Sequence, residues 1–232
     1  MLIISSVNTL KTRIFALIFG LILNAFGNSL TIISASGSGI WTAAAVNMNE
    51  IFGIEVGTLI FILGVINAIT NQILIGRIDV FRFIEEIIFI TCFSYFINIF
   101  TSIFRSWGWA DTSIWIRIPM AIIGVMCFCT AISLYQRANI FMHPNDDTSN
   151  ILRFKFLKGS AIKSQLLDMT PPIIIIILCA IKLGHVDSIG IGTIFSVACN
   201  GILIEAADKW IFPKLKHNKN INQELAEHNS KK

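Results

Sequence analysis

Six apolar runs, at 14–33, 54–75, 83–104, 115–135, 167–183 and 189–212, dominate the 232 residues and fix the solvent this chain is built for. A helix needs about 20 residues to cross the roughly 30 Å hydrocarbon layer of a bilayer, and each run is near that length. Lipid offers no partner to a free backbone N–H or C=O, so such runs are spanning helices. Composition agrees, with 54% hydrophobic and only 14% charged residues, a balance unlike that of a soluble domain. The prediction is an all-α, polytopic membrane helical bundle of about six spans. It occupies 1–212 as a single transmembrane domain, followed by a polar cytoplasmic tail over 213–232. Lys11 and Arg13 ahead of the first run resemble a signal peptide, but the run is long for a signal core and holds Asn24 and Asn28, so it reads as an uncleaved span. In the fifth run Pro171 and Pro172 stand near the start, where a first helical turn tolerates them.

The connections carry a strong charge asymmetry. With six crossings, every one of the 18 Lys and Arg residues except Arg105, Arg117 and Lys182 falls on one side. Cytoplasmic loops hold such an excess, so both termini are expected inside. The basic residues thus report orientation, and no nucleic-acid partner is implied. Five cysteines lie scattered within the apolar runs with no C-x-x-C spacing, and they read as packing residues rather than metal or redox groups.

Two stretches interrupt the series without spanning. The first, 36–57 (SGSGIWTAAAVNMNEIFGIEVG), has no Lys or Arg and is too polar to cross alone; the second lies near residue 150. Their positions match, since Thr42 and Gly53 recur 106 residues later as Thr148 and Gly159. Gly20, Ser29 and Leu30 recur at an offset of 104 as Gly124, Ser133 and Leu134, and Gly76 and Asp79 at 108 as Gly184 and Asp187. Three spans per half make the second half enter from the opposite face. The expectation is therefore two inverted repeats, about 13–105 and 115–212, each with a short non-spanning helix, the first at the outer side and the second at the inner. An ordinary loop at either place is the alternative reading.

Small and amide residues recur at helical spacing: Ala16, Gly20, Asn24 and Asn28 in the first run; Gly57, Gly64, Asn67, Ala68 and Asn71 in the second; Thr91, Ser94, Asn98 and Ser102 in the third; Gly192, Ser196 and Asn200 in the sixth. Unpaired amides are costly in hydrocarbon, so these stripes face protein, either as packing seams or as the lining of a polar pathway. A helix starting near Trp41 would aim free N–H groups at a cavity. The run HPNDDT at 143–148 offers Asp147 or Thr148 as the cap of a helix beginning at Ser149, or, with Asp146, a cytosolic gate. The segment 153–163 interleaves Arg153, Lys155, Lys158 and Lys163 with Phe154, Phe156 and Leu157, which suits anionic lipid of the inner leaflet. The acids Glu50, Glu55, Glu85, Glu86, Asp111, Glu205 and Asp208 fall near span ends, so no carboxylate is expected at mid-bilayer. No nucleophile with a base, Walker loop or paired zinc ligands is evident, and neither an enzyme nor a cofactor is expected.

These residues together resemble the YitT/YczE-like family of small bacterial multi-pass membrane proteins. The likeness rests on 37–47 (GSGIWTAAAVN), Gly53 with Gly57, 137–139, 143–159 (HPNDDTSNILRFKFLKG), Pro171 with Pro172, and 190–196 (GIGTIFS). It implies a bacterial inner-membrane location and a permease-like architecture. An acidic residue often follows the first-half Trp in that pattern, where this chain has Thr42; Pro144 with Asp146 and Asp147 keeps the second-half counterpart. The functional expectation is a permease of a small polar or neutral solute bound between the repeats, with Trp41, Thr42, Asn47, Asn67, Asn71 and Asn200 as lining candidates and Asp146 and Asp147 as a cytoplasmic gate or cap. The alternative is a membrane accessory that contacts a protein or lipid through its basic segment. Oligomeric state is not legible.

Overall fold

The computed structural model describes residues 8–218, and its elements are all helical. The first half comprises α1 (Leu10–Ser34), the short α2 (Ile40–Phe52), α3 (Val56–Ile75) and α4 (Val80–Ser106). The second comprises α5 (Ile114–Ala138), the short α6 (Pro144–Ile151), α7 (Ala161–Leu183) and α8 (Ile191–Trp210). A 3-10 turn at Trp109–Asp111 lies between the halves, and α6 runs on into a π turn over Leu152–Phe156. All the long helices, but neither α2 nor α6, have the length and apolar content of a membrane span. The chain is a multi-pass membrane protein of six spans.

The two halves share one order of elements: span, short helix, span, span. Gly76 and Gly184, which match at an offset of 108, close α3 and α7 in the same left-handed conformation, at φ 76° and 78°. At the centre α1 and α5 run antiparallel. Arg13, near the start of α1, donates to the carbonyls of Ala138 (2.8 Å) and Asn139 (3.0 Å) at the end of α5. Further along, Gly20 packs on Ala131 and Gly27 on Gly124. A shift of 104 residues turns Gly20 into Gly124 and Gly27 into Ala131, and so exchanges the two contacts. In the same way α1 packs on α4 as α5 packs on α8, and α2 packs on α7 as α6 packs on α3.

One pairing breaks this correspondence. In the first half α3 lies along α4, whereas α7 and α8 make no comparable contact. The Gly57 N–H donates to Asn98 Oδ1 at 2.8 Å, and a Cβ on Gly64 would fall 2.3 Å from Ile90 Cγ1, so both glycines are needed for the close approach. The 108-residue shift puts Gln165 and Pro172 at the matching places on α7. Neither permits such a seam.

Two expectations are corrected. The helix at the second insertion begins at Pro144, not Ser149, because His143 caps it, its Nδ1 accepting from the Asn145 N–H at 3.2 Å, and Pro144 supplies a preset first turn. The fifth span begins at Ala161, where Ser160 caps it, so Pro171 and Pro172 lie in the interior of α7. The helix continues through them, although they remove the helical donors for the carbonyls of Leu167 and Asp168. The polar tail is docked at its start: Leu215 is buried in the core, and Asn218 Nδ2 donates to the Arg137 carbonyl at 2.9 Å. The rest of that expected tail, 219–232, lies outside the described residues.

Candidate functional site

Between the halves lies a cavity of about 360 Å³. The first turn of α2 and the N-terminal end of α6 both reach it, with walls from α1, α3, α4, α5, α7 and α8. The halves therefore build it jointly, and the unpaired α7 and α8 both border it.

On the α1 side, Asn28 Nδ2 donates to Asn24 Oδ1 at 2.8 Å, and the Thr42 hydroxyl of α2 donates to Asn28 Oδ1 at 2.8 Å. Opposite, Trp41 Nε1 donates to Asp168 Oδ2 of α7 at 3.2 Å. The second oxygen, Asp168 Oδ1, is buried without a hydrogen-bond donor. On α8, Asn200 Oδ1 accepts from Cys129 Sγ at 3.0 Å and Ser196 Oγ at 3.4 Å.

The α6 end is the charged one. Tyr135 donates its hydroxyl to Asp146 Oδ2. Burial pushes the Asp146 carboxyl up to about 6; the Tyr135 hydrogen bond works against this, and the Asp147 carboxylate reinforces it. His143 sits edge-on to Phe89 and Phe93, ring centres 5.5 and 5.1 Å away. Burial there pulls its imidazole down to about 3, so it is neutral at physiological pH.

The sequence candidates separate into two groups. Trp41, Thr42, Asn200 and Asp146 line the cavity. Asn47, Asn67, Asn71 and Asp147 do not; they hold the short helices in place. Asn47 exchanges two hydrogen bonds with the Asp187 backbone, its Nδ2 donating to the carbonyl (2.7 Å) and its Oδ1 accepting from the N–H (2.9 Å), which fixes α2 to the α7–α8 connection. Asn67 Nδ2 donates to Asn145 Oδ1 (2.6 Å). Asn71 donates to Glu86 Oε1 (2.7 Å) and the Pro144 carbonyl (3.0 Å) and accepts from the Thr148 hydroxyl (2.7 Å). Asp147 receives both Nε and Nη2 of Arg82, at 2.5 Å each. Three side chains from α3 and α4, Asn67, Asn71 and Arg82, thus clamp α6.

Asp168, Tyr135 and His143 are cavity groups that sequence reasoning passed over. Asp168 was visible as a lone carboxylate just ahead of the Pro-Pro pair. Its partner Trp41 stands 127 residues away, at a distance no local pattern reports.

Residues 11–209 match DUF6198, described as a family of unknown function, and the chain belongs to that family. No curated protein and no solved structure matches it.

Proposed function

We propose that this DUF6198 protein is a permease-type membrane protein whose two inverted repeats hold a small polar solute in the cavity between them. The observation that carries the reading is the junction of two non-spanning helices, one from each half, at a single polar cavity. Small transport proteins use this arrangement, because irregular backbone at membrane depth is stable only where it lines a cavity or is buried in protein. The antiparallel α1–α5 crossing and the exchange of contacts under a 104-residue shift support inversion of the repeats. The resemblance to YitT/YczE-like proteins supports the same architecture and an inner-membrane location, and the excess of Lys and Arg on one side supports cytoplasmic termini. The test is thermal unfolding of the purified protein across a broad solute panel. Saturable stabilisation that is lost in Ile204→Trp, which fills the cavity, supports the reading.

A second reading has its own observation. Phe154 and Phe156 are exposed beside Arg153, Lys155 and Lys158, an amphipathic surface suited to anionic lipid or a partner protein. If no solute stabilises the protein and a partner co-purifies stoichiometrically, the accessory role replaces the permease.

A further inference from the structure

We propose that the solute is a small primary organic ammonium ion, held by Asp168 and Asp146 against the aromatic wall of the cavity. This rests on the reading of the cavity as a solute site and names the class of solute.

The charges lining the cavity are few. Asp146 and Asp168 face Arg153 and His143. Arg153 is committed elsewhere, its Nε donating to the Gly159 carbonyl at 3.0 Å and its guanidinium lying 5.1 Å from the Phe154 ring centre. His143 is neutral, and its Nδ1 is occupied by the Asn145 N–H. Two carboxylates are therefore set against one cation that is already engaged.

Helix ends do not reverse this balance. The positive end of α2 at Gly39, Ile40 and Trp41 borders the cavity, but Asp168 already faces it through Trp41. Asp146 lies in the first turn of its own helix, α6. Each helix start thus already has a carboxylate near it, so neither calls for an anionic ligand.

Hydrogen-bond supply points the same way. Asp168 Oδ1 is a buried acceptor with no donor in hydrogen-bond geometry, the Ser149 hydroxyl lying near the carboxylate without completing such a bond, and Pro172 removes the helical donor of the Asp168 carbonyl. The Thr42 hydroxyl and the Asn28 amide use donor hydrogens within the α1–α2 wall. A ligand that brings N–H donors and a positive charge completes the site. Trp41, Phe93, Phe128 and Tyr135 supply ring surfaces for the cation and its alkyl part. The free Oδ1 calls for a hydrogen-bond donor, which a primary ammonium has and a quaternary one lacks.

The test uses the full chain purified in detergent, with n-propylammonium chloride, tetramethylammonium chloride, propan-1-ol and sodium propionate as probes. Thermal unfolding and equilibrium binding are read together. The expected result is saturable stabilisation by n-propylammonium, with at least tenfold weaker binding of tetramethylammonium and no effect of the other two. Asp168→Asn weakens n-propylammonium binding at least tenfold, and Ile204→Trp abolishes it. If Asp168→Asn does not fold, Asp146→Asn is the reporting variant, with weakened binding again expected. Binding of propan-1-ol or propionate that is lost in Ile204→Trp overturns the ammonium assignment and leaves the solute site standing. Binding of n-propylammonium that survives both Asp→Asn substitutions also overturns it. Binding of no probe overturns the ammonium assignment, and the solute panel with its cavity-filling control then decides separately whether the cavity takes a solute at all.

Discussion

Gly27 and Gly124 face each other reciprocally: a Cβ built on either would stand 2.6 Å from the carbonyl oxygen of the other. The two central helices touch backbone to backbone at this point, and the contact is the same viewed from either helix. It is the closest part of a crossing that also brings Gly20 against Ala131 and Arg13 against the end of α5.

Gly27→Ala should therefore separate α1 from α5 and cost about 1–3 kcal/mol through overpacking. Gly20→Ala should cost less, since the added carbon would stand 3.2 Å from the Ala131 oxygen and needs only a small adjustment. Unfolding midpoints of the two variants in the same detergent check the order.

Arg82 and Asp147 should be energetically coupled. Asp147 is buried and Arg82 about a third exposed, so removing either partner is expected to cost about 1–3 kcal/mol, below the range of a fully buried pair. A double-mutant cycle with Arg82→Leu and Asp147→Leu measures the coupling; a value of zero would mean that the pair does not anchor α6.

The α6 end of the cavity should give an unusual acid response. His143, held down to about 3 from an ordinary 6.5, loses native stability as pH falls below about 6.5. Asp146, raised to about 6 from 3.8, gains native stability as pH falls from about 6 toward 4. The two contributions oppose each other, each at most about 1.4 kcal/mol per pH unit. Relative to the unaltered protein, His143→Asn, which keeps a capping side chain, should shift the slope toward increasing stability on acidification. Asp146→Asn should shift it toward a loss. Thermal unfolding of both variants from pH 4 to 7 reads the two signs.

Orientation can be read by thiol labelling in a background without the five native cysteines. Glu50, at the end of α2, and Arg77, between α3 and α4, are both exposed. Glu50→Cys should react with an impermeant reagent in intact cells, and Arg77→Cys only after lysis. Ser38 is fully buried and reports nothing about sidedness. The reverse pattern would put the termini outside.

The spans were legible in the sequence because length and apolar content alone decide them; no partner has to be known. The short α2 was legible for a related reason: its polar stretch between apolar runs could not cross. The site was only half legible. Asn71 and Asn200 carry the same signal, an amide on a stripe of small residues, yet one braces α6 and the other lines the cavity. Only the packing of elements far apart in the chain separates those roles. The start of α6 was misread because Asp147 is a common cap, while the informative sign was Pro144, a residue suited to the first turn.

Gly57 and Gly64 stitch α3 to α4, and no counterpart stitches α7 to α8. A movement that widened the first pair would have to undo the Gly57–Asn98 hydrogen bond and the seating of Ile90 on Gly64. Widening the second pair forfeits little packing. Of the two matching pairs, the one free to part is therefore α7 and α8, and α7 carries Asp168 in the cavity wall.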